Sequence, residues 1–456
     1  MTDYYIDPVD GNDTTGDGLG EATAWKTWAK VGTTDSWAAG NTYYQKGGTT
    51  GTGQIRLTNA TGPTDVAGAA GSPITITTKS GWGTGYAVID GAGTLDFGIF
   101  SNTLSKYINV SNFEVKNCTT RGIYIRNSLN IALDCYCTIE NNYIHDITGS
   151  EVGEATGIWG AGTNAMVRNN IVTDCGDDCI HWEGDGISII GNNIARPGTD
   201  ASNSGDNIQI ANGASGAVVS NNVCDHSNVD EKQCIIVQDA DPATCAPVLI
   251  SGNTCVFPVL SAGTSVTKAV FIGVPGTVSG NRVTGGVYGV WIEGTAVGPV
   301  YVSGNIVTDS YSRGIAVNFT GTEYCYVRNN TICDVVGDGI NQYDASVEGD
   351  ISNNVITGCG RGIYKGGTAV TASTNCQYGN TSGYVGWQPS AGNLSADPLL
   401  QSDYSLGAGS PARSAGTWIA GVRAYDDLPL PLHPDIGAVQ DRTAPGRRFG
   451  AGGGTL

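Results

Sequence analysis

The sequence predicts an all-β fold, a parallel β-helix solenoid of about ten or eleven coils with a helical cap at its N-terminus. The first observation behind this prediction is a recurring Asn. The last Asn of SNFEV, ENNYI, RNNIV, GNNIA, SNNVC, SGNTC, SGNRV, SGNIV, RNNTI and SNNVI lies at 112, 142, 170, 193, 222, 253, 281, 305, 330 and 354. A drifting repeat of this length, rich in turn-forming residues, is typical of a solenoid.

The second observation is that each repeat holds three short runs of strand-like sequence. One run follows a small or polar residue, as in RGIYIRN, TGIWGAG, DCIHWEG and YGVWIEG, and another precedes the Asn, as in AMVRN and VYVSGN. Alternation without a helical period predicts three strands per coil, stacked about 4.8 Å from the next coil. We expect the recurrent Asn to bond along the stack and satisfy buried backbone groups at the bend.

The two ends of the chain differ from the repeats. ATAWKTWAKV at 22–31 is amphipathic, with Trp25, Trp28 and Ala29 at helical spacing, and predicts a helix that caps the stack. The stretch from about 386 loses the period and ends in a Gly-rich tail. The predicted organisation is therefore an N-terminal cap and opening segment over 1–72, the solenoid over 73–385 and a C-terminal capping segment and tail over 386–456.

Composition restricts the partners. The 456 residues carry a net charge of -19, which disfavours nucleic acid, and a polyanionic glycan would need a local basic patch or a bridging divalent cation. No apolar run approaches the length of a membrane span, and MTDYYIDPVDG lacks the features of a signal peptide. The 13 Cys fall mostly between apolar or turn residues, so we expect small buried thiols rather than a disulfide framework.

Both ends of the chain resemble a known group of proteins. YYIDPVDGNDTTGDGLGEATAWKTWAKV at the start, and DPLLQSDYSLGAGSPARSAG with PDIGAVQ near the end, are similar to pectate-lyase-like right-handed parallel β-helix proteins of bacteria and phages. The resemblance implies a right-handed β-helix. It leaves function open, since the group holds lyases, hydrolases, epimerases, phage tailspikes and proteins without known activity.

Together with the missing export signal, this resemblance favours a tailspike-like protein of a phage tail or virion. Such a protein would bind a polysaccharide and, if it is an enzyme, depolymerise it. It also implies a homotrimer that contacts other virion proteins. Two alternatives stay open: a non-catalytic virion fibre or adhesin, and a secreted polysaccharide lyase or glycoside hydrolase.

The alternating runs also predict an outward-facing stripe of side chains. Aligning them places Ile123, Ile158, Ile180 and Phe271 inside and the residues that follow each of them outside. Aromatic rings with amides and charges between them suit a glycan groove, although such a stripe also fits a subunit interface or ordinary β-formers. The predicted substrate-binding residues are Tyr124, Arg126, Trp159, Gln209, Gln238, Trp291 and Glu293.

A dense acidic stretch, GDDCIHWEGDG at 176–186, interrupts this stripe. Paired carboxyls suit glycoside hydrolysis, whereas a lyase needs a base and a group that neutralises the uronate. Ca²⁺ held by Asp177, Asp178 and Asp206 is a candidate for that neutralising group, and no other cofactor is expected. Glu151 and Glu154 lie in a nearby loop. The predicted catalytic residues are Asp177, Asp178, His181, Glu183 and Asp206.

GDDCI is also similar to the paired-Asp motif of polygalacturonases, and that resemblance would make Asp177 and Asp178 catalytic carboxylates. The other motifs of that family are missing: 151–160 lacks Asn-Thr-Asp, GDG at 184–186 lacks the His of Gly-His-Gly, and there is no Arg-Ile-Lys. Hydrolysis, elimination and binding alone therefore all stay open.

Overall fold

The computed structural model describes residues 1–34, 37–51, 53–57, 66–101, 105–126, 132–149, 155–199, 205–226, 232–239, 241–258, 267–294, 298–319, 324–343, 348–366, 370–386 and 390–441. In these ranges the chain forms three parallel sheets of 14, 13 and 13 strands. Neighbours within a sheet are separated in sequence by strands of the other two sheets, so each coil adds one strand to each sheet. The predicted right-handed β-helix is confirmed.

The chain divides into two compact units, unit 1 with Met1–Val218 and Asn222–Val229, and unit 2 with Val219–Asn221 and Asp230–Leu456. In unit 1, sheet 1 contains Asp3–Ile6, Thr42–Gly47, Ile74–Gly83, Ile108–Ser111, Thr138–Glu140, Met166–Arg168 and Ser188–Ile190. Sheet 2 contains Thr50–Gly51, Ala87–Asp90, Phe113–Lys116, Tyr143–Ile147, Ile171–Cys175, Asn193–Ala195 and Val223–Asp225. Sheet 3 contains Ile55–Arg56, Phe97–Ser101, Arg121–Arg126, Thr156–Ala161, Ile180–Glu183 and Ile208–Ala211.

Unit 2 repeats the same arrangement. Its sheet 1 contains Val248–Ser251, Gly276–Ser279, Val300–Ser303, Tyr324–Arg328, Glu348–Ser352 and Val370–Ser373. Sheet 2 contains Thr254–Val256, Arg282–Thr284, Ile306–Thr308, Thr331–Cys333, Val355–Thr357 and Cys376–Tyr378. Sheet 3 contains Gln233–Val237, Lys268–Ile272, Tyr288–Gly294, Arg313–Phe319, Asp338–Gln342, Arg361–Lys365 and Ser382–Val385. One more sheet 1 strand, Val218–Ser220, contributes residues to both units.

The strands start earlier than the predicted solenoid. Residues 1–72, expected to form a cap and opening segment, already supply strands to all three sheets, beginning with Asp3–Ile6 paired to Thr42–Gly47. This explains why the sheets have more strands than the ten or eleven predicted coils: coils before residue 101 form without the Asn motif.

The predicted N-terminal helix is shorter than expected. The α-helix is Trp28–Thr33, preceded by a 3₁₀ turn at Glu21–Thr23, and a second 3₁₀ turn lies at Pro242–Thr244. Trp25 precedes the helix and Ala29 is exposed, so the predicted face of three residues is wrong. Trp28 and Val31 are buried, and the Trp28 indole donates to Gln45 Oε1 over 2.6 Å, so the helix still covers apolar core.

The recurrent Asn forms the predicted ladder. In unit 1, Asn192 donates from Nδ2 to Asn222 Oδ1 and to the Val167 carbonyl, while its own Oδ1 accepts from Asn170. The ladder members are buried Asn at 142, 170, 192 and 222 in unit 1 and at 253, 281, 305, 330, 354 and 375 in unit 2.

Two assignments within the predicted ladder are corrected. In GNNIA the ladder member is Asn192, because Asn193 is the exposed first residue of a sheet 2 strand. Asn112 lies before the ladder, and Phe113 occupies the ladder position there, with its N–H donating to Asn142 Oδ1. The residue before each member takes a left-handed conformation, as Asn141, Asn169 and Gly191 do, and this explains the recurrent NN and GN pairs.

The C-terminal segment folds back within unit 2. Its residues 390–441 contain no regular strand, and Ile436 and Leu406 pack with Val355 of sheet 2. Thr417 is held by Asn353, which accepts from the Thr417 N–H at 2.9 Å and donates to the Thr417 carbonyl at 2.7 Å. The segment therefore lies along one corner of the stack, beside Asn353 and Val355. The Gly-rich tail lies outside the described residues.

All 13 cysteines are free thiols, and twelve of them are buried. Burial raises the pKa of Cys118 and of Cys325 to about 12. Among the described residues, no helix has the length and apolar character needed to cross a bilayer.

Candidate functional site

The outward face of sheet 3 in unit 1 carries a column of stacked rings. Register places Tyr124 next to Phe100, Trp159 next to Tyr124, and His181 next to Trp159. The ring centroids are 5.4, 5.1 and 5.6 Å apart, with interplanar angles of 16°, 27° and 13°. The predicted outward stripe exists here because the strands are parallel and in register, so that side chains at equivalent positions of successive coils are neighbours.

This stacking changes how Tyr124 and Trp159 can meet a ligand. Each ring has a ring on both faces, and Tyr124 is only 5% exposed. The Arg121 guanidinium lies over both rings, at 4.8 and 5.0 Å from their centroids, and that of Arg126 lies 5.5 Å from Trp159. A sugar cannot stack flat on either ring, so ring edges and guanidinium groups are what this column presents.

His181 is held between two carboxylates. Its Nδ1 lies 2.9 Å from Asp178 Oδ2, a hydrogen bond, and its Nε2 lies 3.8 Å from Glu183 Oε1, an ion-pair contact longer than a hydrogen bond. Asp178 precedes the strand and points to the same side as His181 and Glu183, which alternate along it. The alternation along the strand thus brings these three predicted residues into contact.

The surroundings of His181 fix its charge. Burial opposes protonation, but the carboxylates of Asp178 and Glu183 outweigh it and raise the pKa of His181 to about 9. Contact with His181 holds the pKa of Glu183 below its ordinary value, although burial acts in the opposite direction. Asn212 Nδ2 also donates a hydrogen bond to Glu183 Oε1 at 3.1 Å. At neutral pH the site therefore contains an imidazolium held between the side chains of Asp178 and Glu183.

Asp206 and Asp177 have different places around this group. Asp206 lies one coil after Asp178, as predicted, and is 1% exposed, with its N–H donating to Asp178 Oδ1 at 2.7 Å. Asp177 is half-buried in the preceding turn, where its main chain bonds to Ala155 and Gly198. Gln209 follows His181 in the column.

The suggested Ca²⁺ site does not fit these contacts. Both oxygens of Asp178 are already used, by His181 and by the Asp206 N–H. Among the described residues, no three His, Cys, Asp or Glu side chains are gathered for a metal ion. Glu151 and Glu154 lie outside the described residues.

The other predicted substrate-binding residues form a cluster within unit 2. The Trp291 indole donates to Glu293 Oε2 at 2.8 Å, Lys268 Nζ lies 3.6 Å from the same oxygen, and Lys268 covers the rings of Phe271 and Trp291. Gln238 is half-buried just after Gln233–Val237. The stacked column and the Asp178–His181–Glu183 group lie in unit 1.

One inward assignment is wrong. Val270, not Phe271, pairs with Ile235 and Val290 on the inner face, and Phe271 pairs with Ile236 and Trp291 on the outer face. The signal that could have shown this is the small residue before each inward position. Ala269 precedes Val270 as Gly122 precedes Ile123 and Gly289 precedes Val290.

Sequence reasoning also missed Arg121. Arg121 is the first residue of its strand and lies two residues before the inward Ile123. Asp178 lies at the equivalent position two coils later, two residues before the inward Ile180. Charged residues at this position lie beside the rings of the column. The alternating pattern extended one step backwards would have found it.

Comparisons with known proteins agree with this fold. A family model described as right handed beta helix region matches residues 156–332, and the curated proteins give no match. The complex of XylC with xylose has a TM-score of 0.56 at 11% identity, over 96% of this chain and 98% of that chain. A mannuronic acid specific polysaccharide family 6 lyase from human gut microbiota has a TM-score of 0.50 at 14% identity, over 84% of this chain and 82% of that chain. Dettilon tailspike protein has a TM-score of 0.44 at 13% identity, over 84% of this chain and 68% of that chain.

The family model and the two structures with TM-scores of 0.50 or more show the fold of this chain, the right-handed parallel β-helix. The resemblance of the sequence to the pectate-lyase-like group is confirmed at the level of the fold.

Proposed function

We propose that the protein binds a polysaccharide across sheet 3 of unit 1 and cleaves it beside Asp178, His181 and Glu183. The observation that carries this proposal is the imidazolium held between two carboxylates, with Arg126 close enough to help lower the pKa of Glu183. Titratable groups with strongly perturbed pKa values are enriched at catalytic sites. Arg126 has a buried Nε without a hydrogen-bond partner among the described residues.

β-Elimination on a uronate-containing glycan fits this group best. The guanidinium of Arg126 would pair with the uronate carboxylate, which makes the adjacent C5 proton more acidic. Glu183 would take that proton as the C4–O bond breaks and the C4=C5 double bond forms. His181 would give its proton from Nε2 to the departing glycosidic oxygen. Arg121, Arg126 and the imidazolium together supply the local positive charge that a chain of net charge -19 needs for an acidic glycan.

Hydrolysis is the second candidate, because two carboxylates flank His181. It fits less well, since a glycoside hydrolase of this kind needs a carboxyl group that is protonated at its working pH, and the pKa of Glu183 is lowered.

The test is incubation with polygalacturonate, alginate and xylan, following reducing ends and the absorbance of unsaturated uronates. We expect both signals on an acidic polymer, and loss of about 100-fold or more in rate for Glu183→Gln and His181→Asn. Glu140→Gln is the matched control, since Glu140 pairs with Arg168 on sheet 1, and should retain activity. New reducing ends without the absorbance of unsaturated uronates would show that the reaction is hydrolysis and not elimination. Neither signal from the wild type, or full activity of both variants, would overturn cleavage.

We also propose that the protein is a tailspike-like component of a virion, and the resemblance of its two terminal segments to the pectate-lyase-like group supports this. That assignment implies a homotrimer. Light scattering should give about three times the 47.0 kDa chain mass. A monomer would instead favour a secreted enzyme, and a trimer without activity on any polymer would favour a structural fibre.

A further inference from the structure

We propose that sheet 1 of unit 2 carries a second carbohydrate subsite, which holds one neutral pyranose ring against Tyr301. A cavity of about 320 Å³ lies there, between the outer face of the sheet and the C-terminal segment. Its lining combines two rings with hydroxyl, guanidinium and backbone groups: Thr277, Tyr301, Ser303, Tyr326, Arg328 and Ala420–Val422. Concave sites with apolar walls and a few polar groups are the usual small-ligand sites of proteins.

The rings of this cavity differ from the closed column on sheet 3. Register places Thr277, Tyr301 and Tyr326 at equivalent positions of three successive coils. Tyr301 and Tyr326 stack at 5.1 Å and 11°, and Arg328 covers Tyr326 at 4.3 Å. The other face of Tyr301 is directed to Thr277, which has no ring, so within the described residues that face has no aromatic neighbour. Tyr301 is accordingly 40% exposed.

The missing ring leaves a space of the right depth for a sugar. Successive coils are about 4.8 Å apart, which is close to the separation of stacked rings. A pyranose lying above Thr277 would therefore take the position in the stack that a ring would otherwise fill. The apolar C–H face of the sugar would contact Tyr301, and its hydroxyl groups would point to Ser303 and to the backbone of 420–422.

The outer wall of the cavity is held in place from both sides. Before it, Thr417 is bound to Asn353 by two hydrogen bonds. After it, the Tyr425 N–H donates to the Ala438 carbonyl at 3.0 Å, and Val422 packs with Ala424 and Leu430. A wall that is fixed in this way loses little conformational entropy when a ligand binds.

The charges around the cavity select a neutral ligand. The Arg328 Nε donates to Asp350 Oδ2 at 2.9 Å, and this ion pair compensates its charge. No other cationic side chain lines the cavity within the part of the chain that the structure describes. The subsite therefore offers no net positive charge to a uronate, in contrast to the arginines on sheet 3 of unit 1.

The test is saturation-transfer NMR with the methyl β-glycosides of glucose, galactose and xylose, and with methyl β-glucuronide as the charged comparison. We expect transfer to at least one neutral glycoside that depends on Tyr301, and no Tyr301-dependent transfer to the glucuronide, whose signal would come from the arginines on sheet 3 of unit 1. Tyr301→Ala should weaken binding about tenfold, in line with the loss of one stacking contact, while Tyr301→Phe should retain it. Tyr378→Ala, which removes an exposed tyrosine of sheet 2 in the same unit, is the matched control.

The proposal is overturned if none of the neutral glycosides binds the wild type, if Tyr301→Ala binds them as the wild type does, or if Tyr301→Ala weakens the glucuronide more than the neutral glycosides. Melting curves of both Tyr301 variants separate loss of binding from loss of fold. His181→Asn should bind the glycosides with unchanged affinity, so failure here and failure of the cleavage proposal are distinguishable.

Discussion

His181 occupies a position where burial and neighbouring charge act in opposite directions on one proton. In the unfolded chain its pKa should be near the ordinary value of 6.5, whereas in the fold it is about 9. A raised pKa stabilises the folded state fully below about pH 6.5, and this stabilisation is lost as the pH rises towards 9.

We therefore expect the wild type to lose stability relative to His181→Asn as the pH is raised from 6.5 to 9. Denaturant titrations of both proteins at several pH values measure this difference. Asp178→Asn should also lower the pKa of His181, because it removes the hydrogen-bonded carboxylate, and NMR titration of the imidazole reports it directly. Parallel stability curves, or an unchanged pKa in Asp178→Asn, would contradict this account of the site.

At this scale the sequence predicted what lies within one strand and missed what depends on pairing between strands. Asp178, His181 and Glu183 are close in sequence, so alternation was enough to place them together. Arg121 comes from an earlier coil, and its contact with Trp159 depends on a register that spacing alone does not determine. The same limitation produced the misplaced Phe271.

At the scale of the element, the Asn ladder makes each coil depend on its neighbours. Asn192→Ala would remove the donors to Asn222 and Val167 and the acceptor used by Asn170. Leaving such buried groups unpaired costs about 1–3 kcal/mol each. Asn193→Ala, one residue away at an exposed position, should change stability by less than about 0.5 kcal/mol. Denaturant unfolding of the two variants tests the corrected assignment, and equal effects would refute it.

A second contact between coils joins sheet 3 strands of unit 1. Trp182 is fully buried, as the sequence predicted for a core position, and its ring lies directly against Gly160 of the preceding coil. A Cβ added at Gly160 would lie 2.0 Å from that ring. We expect Gly160→Ala to lower the free energy of unfolding by about 1–3 kcal/mol through overpacking.

Adding Trp182→Phe to Gly160→Ala should recover part of that loss, because the smaller ring leaves room for the methyl group. Gly20→Ala is the control, since its nearest neighbour would be 3.5 Å away. Thermal melts of the four proteins decide the question. An unaffected Gly160→Ala would show that the two strands can move apart at little cost.

At the scale of the whole molecule, the 13 free thiols give a single readout of native packing. Twelve are buried, and Cys245 alone is partly exposed. A thiol reagent should label Cys245 first in the folded protein and all 13 once the protein is unfolded, with mass spectrometry counting the labels. Rapid labelling of several thiols in the native state, or fewer than 13 in denaturant without reductant, would contradict the assigned burial or the free state.

The period of the sequence was sufficient to predict the solenoid but not its full extent. Coils before residue 101 bury apolar residues such as Tyr43, Ile76 and Ile89 without a ladder Asn, so they carry no motif to count. The C-terminal segment was expected to cap the stack. Its hydrogen bonds to Asn353, and the wall it forms over Tyr301, join residues far apart in the chain, and composition gives no sign of them.

The paired Asn has a consequence for how such a chain changes over generations. A stretch running from one NN or GN pair to the next brings its own bend, its own rung and one strand for each sheet. A duplication or deletion between two such pairs would join matching surfaces and leave the flanking coils in register. The length of the molecule and the chemistry on any single coil can therefore be altered by separate genetic events.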